Sequence, residues 1–497
     1  MSSFILSMDI GSSSVKIALF DLNGKVIHFK EKAYKSLPEQ DPYIWWKSIK
    51  DIINDFKKHK EFNEIGAIGV TGQTRGQIFL DKKGNPLRKA ILWLDKRATK
   101  EAKELNNLIP SKKRKSIWGY VPKIDPSFPL SRLVWIKRNE PDILKKTYKV
   151  LQPKDFINYM LTNRWGTDLE GGLGWFNIKE KKVNLDFLKE LNIPHDIIQA
   201  PYSFTDILGE ITDKVEKELG IKKSTPVVVS TMDGFCNLIG SGIITPKIAM
   251  DICGTSEIVG FLAENESNKY NGITVLPFMD YYFYGGPTQS GGASLTWFLE
   301  KILYLNTKTI DIEKEISKIK KILPDNNKII FLPYIDGERT PLWDTKAKGA
   351  FLGIKKDHTY LHLLKAVLEG VAFSIADIIF KAEKLAKVKV NEVRVSGGGS
   401  KSDIWNQIKA DVLNIPVSRI KITETALLGS AILAAVGVKF FKSIKEAKDS
   451  MVKIDHRYQP NQENHLSYSR IFKLYKKSYI SLKDIFHELD QKGVNGE

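Results

Sequence analysis

The sequence predicts an α/β protein of two domains, and three observations predict it. The chain has 497 residues, too many for one compact core. Apolar strand-like runs alternate with helical patterns, the order that builds sheets covered by helices. The opening pattern Met8-Asp9-Ile10-Gly11-Ser12-Ser13 returns as Met250-Asp251-Ile252-Cys253-Gly254-Thr255-Ser256. In both, an apolar strand carries an Asp and turns through Gly and hydroxyl residues, which reads as an internal duplication. The boundary is expected near residues 242–248, dividing the chain into domains 1–245 and 246–497.

The elements follow in order. Residues 4–10 read as a buried strand, and Val15 to Asp21 as a second. Leu22-Asn23-Gly24-Lys25 is a hairpin signal before a third strand, Val26 to Lys30. Trp45 to Lys58 has helical periodicity, and Ile65 to Val70 is a strand ending at Thr71-Gly72. In the second half, a helix is expected from Ala293 to Leu303 and an irregular stretch from Pro333 to Gly353. A long helix runs from about His358 to Lys387. A strand from Glu392 to Val395 enters Ser396-Gly397-Gly398-Gly399-Ser400, and a helix begins near Asp403. A final amphipathic helix covers 466–486, and residues 491–497 read as a frayed end.

Hydrophobic residues make up 42% of the chain, aromatic 10% and charged 27%, the balance of an ordinary globular protein rather than a disordered one. The N-terminus lacks a signal-peptide pattern, and the apolar run from Ala426 to Val438 is too short to span a bilayer. Two cysteines, Cys236 and Cys253, suit a reducing compartment and read as small buried hydrophobes. A cytoplasmic location is therefore expected, with no membrane partner. The net charge is +18, but the lysines are scattered beside Glu and Asp, as in Glu313 to Lys321. That pattern reads as a solvated basic surface, so no nucleic-acid partner is expected.

Three loops have the composition to hold a nucleotide. Gly11-Ser12-Ser13-Ser14 with Lys16 offers backbone N–H groups, hydroxyls and a cation to phosphate. Asp9 just before it suits a hydrated Mg²⁺. Gly254-Thr255-Ser256 is a second such loop, and Gly397-Gly398-Gly399 allows close approach to a ring or ribose. By themselves these are also ordinary turns. No Walker A sequence occurs, and Ser402 breaks the dinucleotide fingerprint, which sets aside P-loop and Rossmann enzymes. Asp233, after the strand run Val227 to Val229, is placed either as a catalytic carboxylate or as a helix N-cap. Trp93-Leu94-Asp95-Lys96-Arg97 suits a polyhydroxylated ligand, or else holds a plain Asp–Arg pair.

Taken in order along nearly the whole chain, these motifs resemble the FGGY family of carbohydrate kinases. Met8 to Lys16 looks like that family's first phosphate loop. Thr71 to Gly76 and Trp93 to Arg97 resemble its sugar-binding segments. Pro129 to Glu140 is similar to its first signature, with Arg132 where Lys is usual. Met232-Asp233-Gly234 matches the catalytic aspartate, and Gly254-Thr255-Ser256 the second phosphate loop. Gly349 to Gly353, through Leu368-Glu369-Gly370, is similar to the second signature. Ser396 to Ser402, with Gln407 and Asp411, resembles the adenosine-binding turn and helix.

The resemblance implies two ribonuclease-H-like, actin-like ATPase domains with the active site in the cleft between them. It implies ATP and Mg²⁺ as cofactors, a small-molecule sugar as substrate and a possible homodimer. Asp233 would be the catalytic base and Asp9 the metal residue. The nucleotide would be held by Ser12, Ser13, Lys16, Gly254, Thr255, Gly292, Thr296, Gly398, Gly399 and Ser402. The sugar would be held by Gln73, Thr74, Arg75, Trp93, Asp95 and Asp233.

Thr74-Arg75 matches neither the Arg-Glu of the glycerol kinase branch nor the Met-His common in the xylulokinase branch, and Ser127 replaces a glycerol kinase Tyr. The chain is most similar to xylulokinase-like members, so a ketopentose such as xylulose is the expected substrate. Arg75 could instead grip the carboxylate of an aldonate, as in a gluconokinase, or pair with a nearby acid. A polyol kinase of the same family is a further alternative. In another class stands an actin-like ATPase without a sugar substrate.

Overall fold

Phe4–Ile10 (β1) is a central strand, and its sequence shows why. Ile5, Leu6, Ser7, Met8 and Ile10 are all fully buried, on both faces of the sheet. The structure, a computed structural model, describes residues 4–267, 270–326 and 328–490, so the expectation for residues 491–497 lies outside the described residues.

β1 forms a hairpin with Ser14–Asp21 (β2), which pairs with Val26–Ala33 (β3). Asn23-Gly24 makes the second turn. Gly24 sits at φ +78°, and a Cβ there would lie 2.0 Å from the Met451 carbonyl oxygen. After Tyr43–Phe56 (α1), Ile65–Gly72 (β4) pairs parallel to β1. Pro129–Asn139 (α2) and Pro153–Thr162 (α3) follow. Ile207–Glu210 (β5) and Pro226–Val228 (β6) complete the first sheet, in the order β5-β6-β4-β1-β2-β3. Asp233–Gly240 (α4) comes directly after it.

The second half rebuilds the same sheet. Ile248–Cys253 (β7) forms a hairpin with Glu257–Ala263 (β8). Thr274–Phe278 (β9) and Tyr281–Thr288 (β10) follow. Gly292–Trp297 (α5) continues as a π-helical turn over Phe298–Ile302, so the helix expected from Ala293 to Leu303 changes pitch half-way. Tyr360–Ala386 (α6) is the long helix. Glu392–Ser396 (β11) pairs parallel to β7. Asp403–Leu413 (α7), Val417–Ile420 (β12), Thr425–Gly437 (α8), Ile454–Tyr458 (β13) and Gln462–Leu489 (α9) complete the chain. The strand order is β9-β10-β8-β7-β11-β12-β13.

The duplication extends to strand directions. Read outward from β3 and from β10, each sheet runs antiparallel, antiparallel, parallel, parallel and antiparallel over six strands. The last strand is reached differently: β5 precedes its neighbour in the chain, whereas β13 follows it.

The chain packs as two units. The first holds the described residues within 1–242, 277–279 and 425–453; the second holds those within 243–276, 280–424 and 454–497. The sequence suggests one boundary near 242–248, but the packing also returns Thr425–Lys453 to the first unit. The reason is α8. Every one of its 13 residues is buried, so it is apolar all round and needs cover on every side. It packs on α4, β1 and β4. Gly429 lets it approach closely, since a Cβ there would lie 1.9 Å from the Cys236 carbonyl oxygen. Polar contacts cross the same seam: Ser230 Oγ to Ser430 Oγ at 3.0 Å, and Thr425 Oγ1 to Asn237 Oδ1 at 2.7 Å. Among the described residues no helix is long and apolar enough to cross a membrane.

Candidate active site

In the first unit, β1 and β4 end side by side, Asp9 opposite Thr71 and Ile10 opposite Gly72. The turns that follow are bonded to each other. Ser12 Oγ donates to Gln73 Oε1 at 3.0 Å, and Gln73 Nε2 donates to the Gly11 carbonyl at 3.1 Å. Trp93 Nε1 donates to Ser12 Oγ at 2.8 Å, while Tyr34 and Gln40 donate to the carbonyls of Gly11 and Ser12. Ser12, Gln73 and Trp93 therefore come together. Asp9, Lys16 and Thr74 are half-buried close by in sequence, and Ser13 is exposed.

Arg75 takes the left-handed conformation, φ +60°. Its N–H donates to Gln152 Oε1 at 3.0 Å, and its carbonyl accepts from Arg132 Nη1. Its guanidinium turns to Asp125 at 3.3 Å and Ser127 Oγ at 3.1 Å. Burial works against the Asp125 charge, but Arg75, Ser127 and Lys123 together hold its carboxyl below the usual range. Arg132, fully buried on α2, also donates to the carbonyls of Ile91 and Leu92. It thus ties the segment at Arg75 to the segment at Trp93. Burial pushes this guanidinium down to about 10, with Asp95 opposing. Asp95 is itself engaged by Arg97 through the backbone N–H, Nε and Nη2 at 2.8–2.9 Å, so the side chains do form the Asp–Arg pair.

Asp233 is the first residue of α4, not its N-cap, and its carboxylate accepts from the Gly234 N–H at 2.7 Å. It is half-buried, and burial pushes its pKa up to about 6. The approach to Asp233 is held on two sides. Thr231 Oγ1 donates to Asp168 at 2.6 Å, and Thr71 Oγ1 donates to the Thr231 carbonyl at 2.8 Å. Behind it, Lys154 lies 2.6 Å from Asp155 and 2.8 Å from Asp168, all three buried. Beside Gly234 nothing lies within 4 Å of where a Cβ would stand, so the first turn of α4 faces open space next to Asp233.

In the second unit, the Gly254–Ser256 loop rests on the start of α5. Gly292 N–H donates to the Gly254 carbonyl and Ala293 N–H to the Thr255 carbonyl, both at 2.9 Å. Thr255 and Thr296 are exposed. The Gly397–Gly399 turn lies over Cys253. A Cβ on Gly397 would meet the Cys253 carbonyl at 2.6 Å, and one on Gly399 would meet Cys253 Sγ at 2.2 Å, whereas Gly398 faces open space. Ser402 is buried as the N-cap of α7, its hydroxyl accepting from Trp405 N–H. Gln407 and Asp411 bond each other and the 459–464 segment. Asp251, the counterpart of Asp9, is bound by the buried Lys409 at 2.5 Å. Burial and Asp251 together push the neighbouring Glu257 upward.

The duplicated sheets thus end in paired turns with different chemistry. Gln73 to Gly76 follows β4 in one unit, and Gly397 to Gly399 follows β11 in the other. Profiles of the N-terminal and C-terminal domains of the FGGY family of carbohydrate kinases match residues 4–240 and 249–438. The chain belongs to the FGGY family of carbohydrate kinases. A xylulose kinase of Staphylococcus epidermidis is 30% identical, over 98% of each chain. A ligand-bound xylulose kinase from Lactobacillus acidophilus superposes with a TM-score of 0.87 at 25% identity, covering 98% of this chain and 100% of that one. A gluconate kinase from the same organism matches as well, with TM-score 0.87, 25% identity, and 98% and 99% covered. The kinase is a sugar phosphotransferase of two α/β domains, and carbohydrate kinases use ATP as phosphate donor. An actin-like ATPase without a sugar substrate is set aside by the family match.

Asp125, Arg132, Gln152 and Asp168 bond directly to the candidate segments, and the sequence reading did not select them as site residues. Arg132 stood out only as a departure at a signature position. Ser127 stood out only where a glycerol kinase has Tyr, and Asp125, Gln152 and Asp168 lay in no motif.

Proposed function

We propose that this kinase phosphorylates a hydroxyl of a ketopentose such as xylulose, with Asp233 as base. The observation that carries the reading is the Asp233 carboxyl itself. Its pKa of about 6 leaves it ionised at neutral pH yet basic enough to accept a proton from an attacking hydroxyl. Room beside Gly234 gives that hydroxyl a place to stand. The paired guanidinium of Arg75 favours a neutral sugar over an aldonate. Asp125 already fills its charge, and an aldonate carboxylate would face a second carboxylate there. Likeness to a gluconate kinase keeps an aldonate as the second reading.

Gly254, Thr255, Gly292, Thr296, Gly398, Gly399 and Ser402 are proposed to hold the nucleotide, with Ser12, Ser13 and Lys16 at the phosphates. Gln73, Thr74, Arg75, Trp93 and Asp95 are proposed for the sugar. Asp9 fits Mg²⁺ by its donor set. Among the described residues no group of three metal-ligating side chains occurs, and Mg²⁺ takes one or two carboxylates and keeps its waters. Bound there, Mg²⁺ would neutralise phosphate charge. The two buried thiols suit a cytoplasmic location. A homodimer belongs to the same reading, by family likeness.

The test is ADP release from Mg-ATP with ketopentoses, ketohexoses, polyols and aldonates, alongside Asp233→Asn. We expect one ketopentose to stimulate release and the variant to lose roughly a thousandfold in rate. Stimulation by an aldonate alone overturns the substrate, and an undiminished variant removes Asp233 from the base role.

A further inference from the structure

The Pro333–Gly353 stretch reads as irregular, and although Ala350–Leu352 near its end forms a short strand with Ile330–Leu332, the part before it supplies a fully satisfied carboxylate. Glu338 is 2% exposed. Its Oε2 accepts from Thr288 Oγ1 at 2.8 Å and from Ser290 Oγ at 2.5 Å. Its Oε1 accepts from the N–H of Gln289 at 2.6 Å and from the N–H of Arg339 at 2.7 Å. A carboxylate has about four acceptor positions, and here all four are filled. Three of the donors belong to consecutive residues, Thr288 to Ser290, the turn that joins β10 to α5. Arg339 adds a second hold, donating from Nη2 to the Thr288 carbonyl at 2.9 Å.

That turn delivers the backbone beneath the Gly254–Ser256 loop. Gly291 follows Ser290 directly, and the N–H groups of Gly292 and Ala293 then take the carbonyls of Gly254 and Thr255. Phosphate oxygens repel carbonyl oxygens, so a loop that receives phosphate must hold its carbonyls turned away. The start of α5 does this for both. The fit is close, since a Cβ on Gly292 would lie 2.6 Å from the Gly254 oxygen. Any slip of the turn is therefore passed to the loop.

We propose that Glu338 is a positioning residue for nucleotide binding, acting through the Thr288–Ala293 turn to hold the Gly254–Thr255 loop in its phosphate-receiving form. The proposal rests on the reading of that loop as part of the nucleotide site. Glu338 touches neither substrate nor nucleotide in this role. A chain-wide structural role would disturb both substrates, whereas positioning of this loop selects one.

The experiment measures equilibrium ATP affinity by intrinsic tryptophan fluorescence, and KM for ATP and for the sugar, in Glu338→Ala, Glu338→Gln, Ser290→Ala and Gly292→Ala. Loss of charged hydrogen bonds should weaken ATP binding roughly tenfold or more in Glu338→Ala, with the sugar KM within about twofold. Glu338→Gln should recover most of the loss. Its amide oxygen can serve the two backbone N–H groups, and its NH₂ can face the two hydroxyls, which turn to accept. Ser290→Ala, lacking one donor, should fall between, and it decides the matter with Glu338→Gln if the alanine variant does not fold. Equal changes in both KM values, or unchanged ATP affinity in the Glu338 and Ser290 variants while Gly292→Ala weakens it, overturn the positioning role. Unchanged ATP affinity in Gly292→Ala overturns the reading of the loop, and the proposal with it.

Discussion

At Asp233 two influences oppose each other: burial raises the pKa, and the Gly234 N–H lowers it, leaving it near 6. A base with that value is protonated as the pH falls through 6, so kcat/KM should show an acid limb near pH 6, read from a pH–rate profile. Stability should move the other way. The folded state holds the Asp233 proton more tightly than the unfolded chain, so its favourable contribution is present below about pH 4 and lost as pH rises through 6. Asp233→Asn carries no charge to bury. It should melt at a higher temperature than the parent at pH 7.5, with the difference vanishing near pH 4. A variant that melts lower at pH 7.5 would mean the ionised carboxylate is net stabilised in place. Arg75 shows the opposite arrangement. Its guanidinium is matched by Asp125 and Ser127, and its backbone is held at both N–H and carbonyl. The sequence left Arg75 open between a substrate carboxylate and a nearby acid, and it could not name Asp125, which lies 50 residues on.

At the scale of elements, helix pairing explains glycines that local propensity would disfavour. Gly240 on α4 and Gly429 on α8 each stand where a Cβ would lie 1.9 Å from a backbone carbonyl oxygen of the other helix. Backbone cannot yield as a flexible side chain can. Gly429→Ala should therefore cost about 3 kcal/mol, the upper end of overpacking, even though alanine is the better helix former. A melting temperature equal to that of the parent would show that the helices can separate without loss. The strands were readable from apolar runs and turn residues, and β1 to β4 lie close to where the sequence places them. The π-helical turn after α5 carried no such signal. It arises where Phe298 and Leu299 are buried in the core of the second unit.

At the scale of the molecule, the two halves repeat one sheet, but the units they form are not the two halves of the sequence. A fragment of residues 1–245 lacks α8, and with it the cover over β1, β4 and α4. We expect that fragment to bind a hydrophobic dye and to lack near-ultraviolet dichroism, the signs of a loosely packed state. Joining residues 425–453 to it through a flexible linker should restore cooperative melting. A fragment of 1–245 that melts cooperatively alone would show α8 to be dispensable.

The sequence by itself determined what is local. A strand, an Asp and a Gly-hydroxyl turn lie within ten residues, so both copies of the motif, the carboxylate at Asp233 and the order that marks the family could be read directly. Only the tertiary structure decided what depends on residues far apart in the chain. It closed Lys409 on Asp251, set Arg132 across the segments at Arg75 and Leu92, and brought Glu338 under a turn some 50 residues earlier. It also moved α8 into the first unit. The physical reason is common to all four. A buried charge or an apolar helix must find its partners wherever the folded sheets bring them, and sequence spacing carries no record of that place.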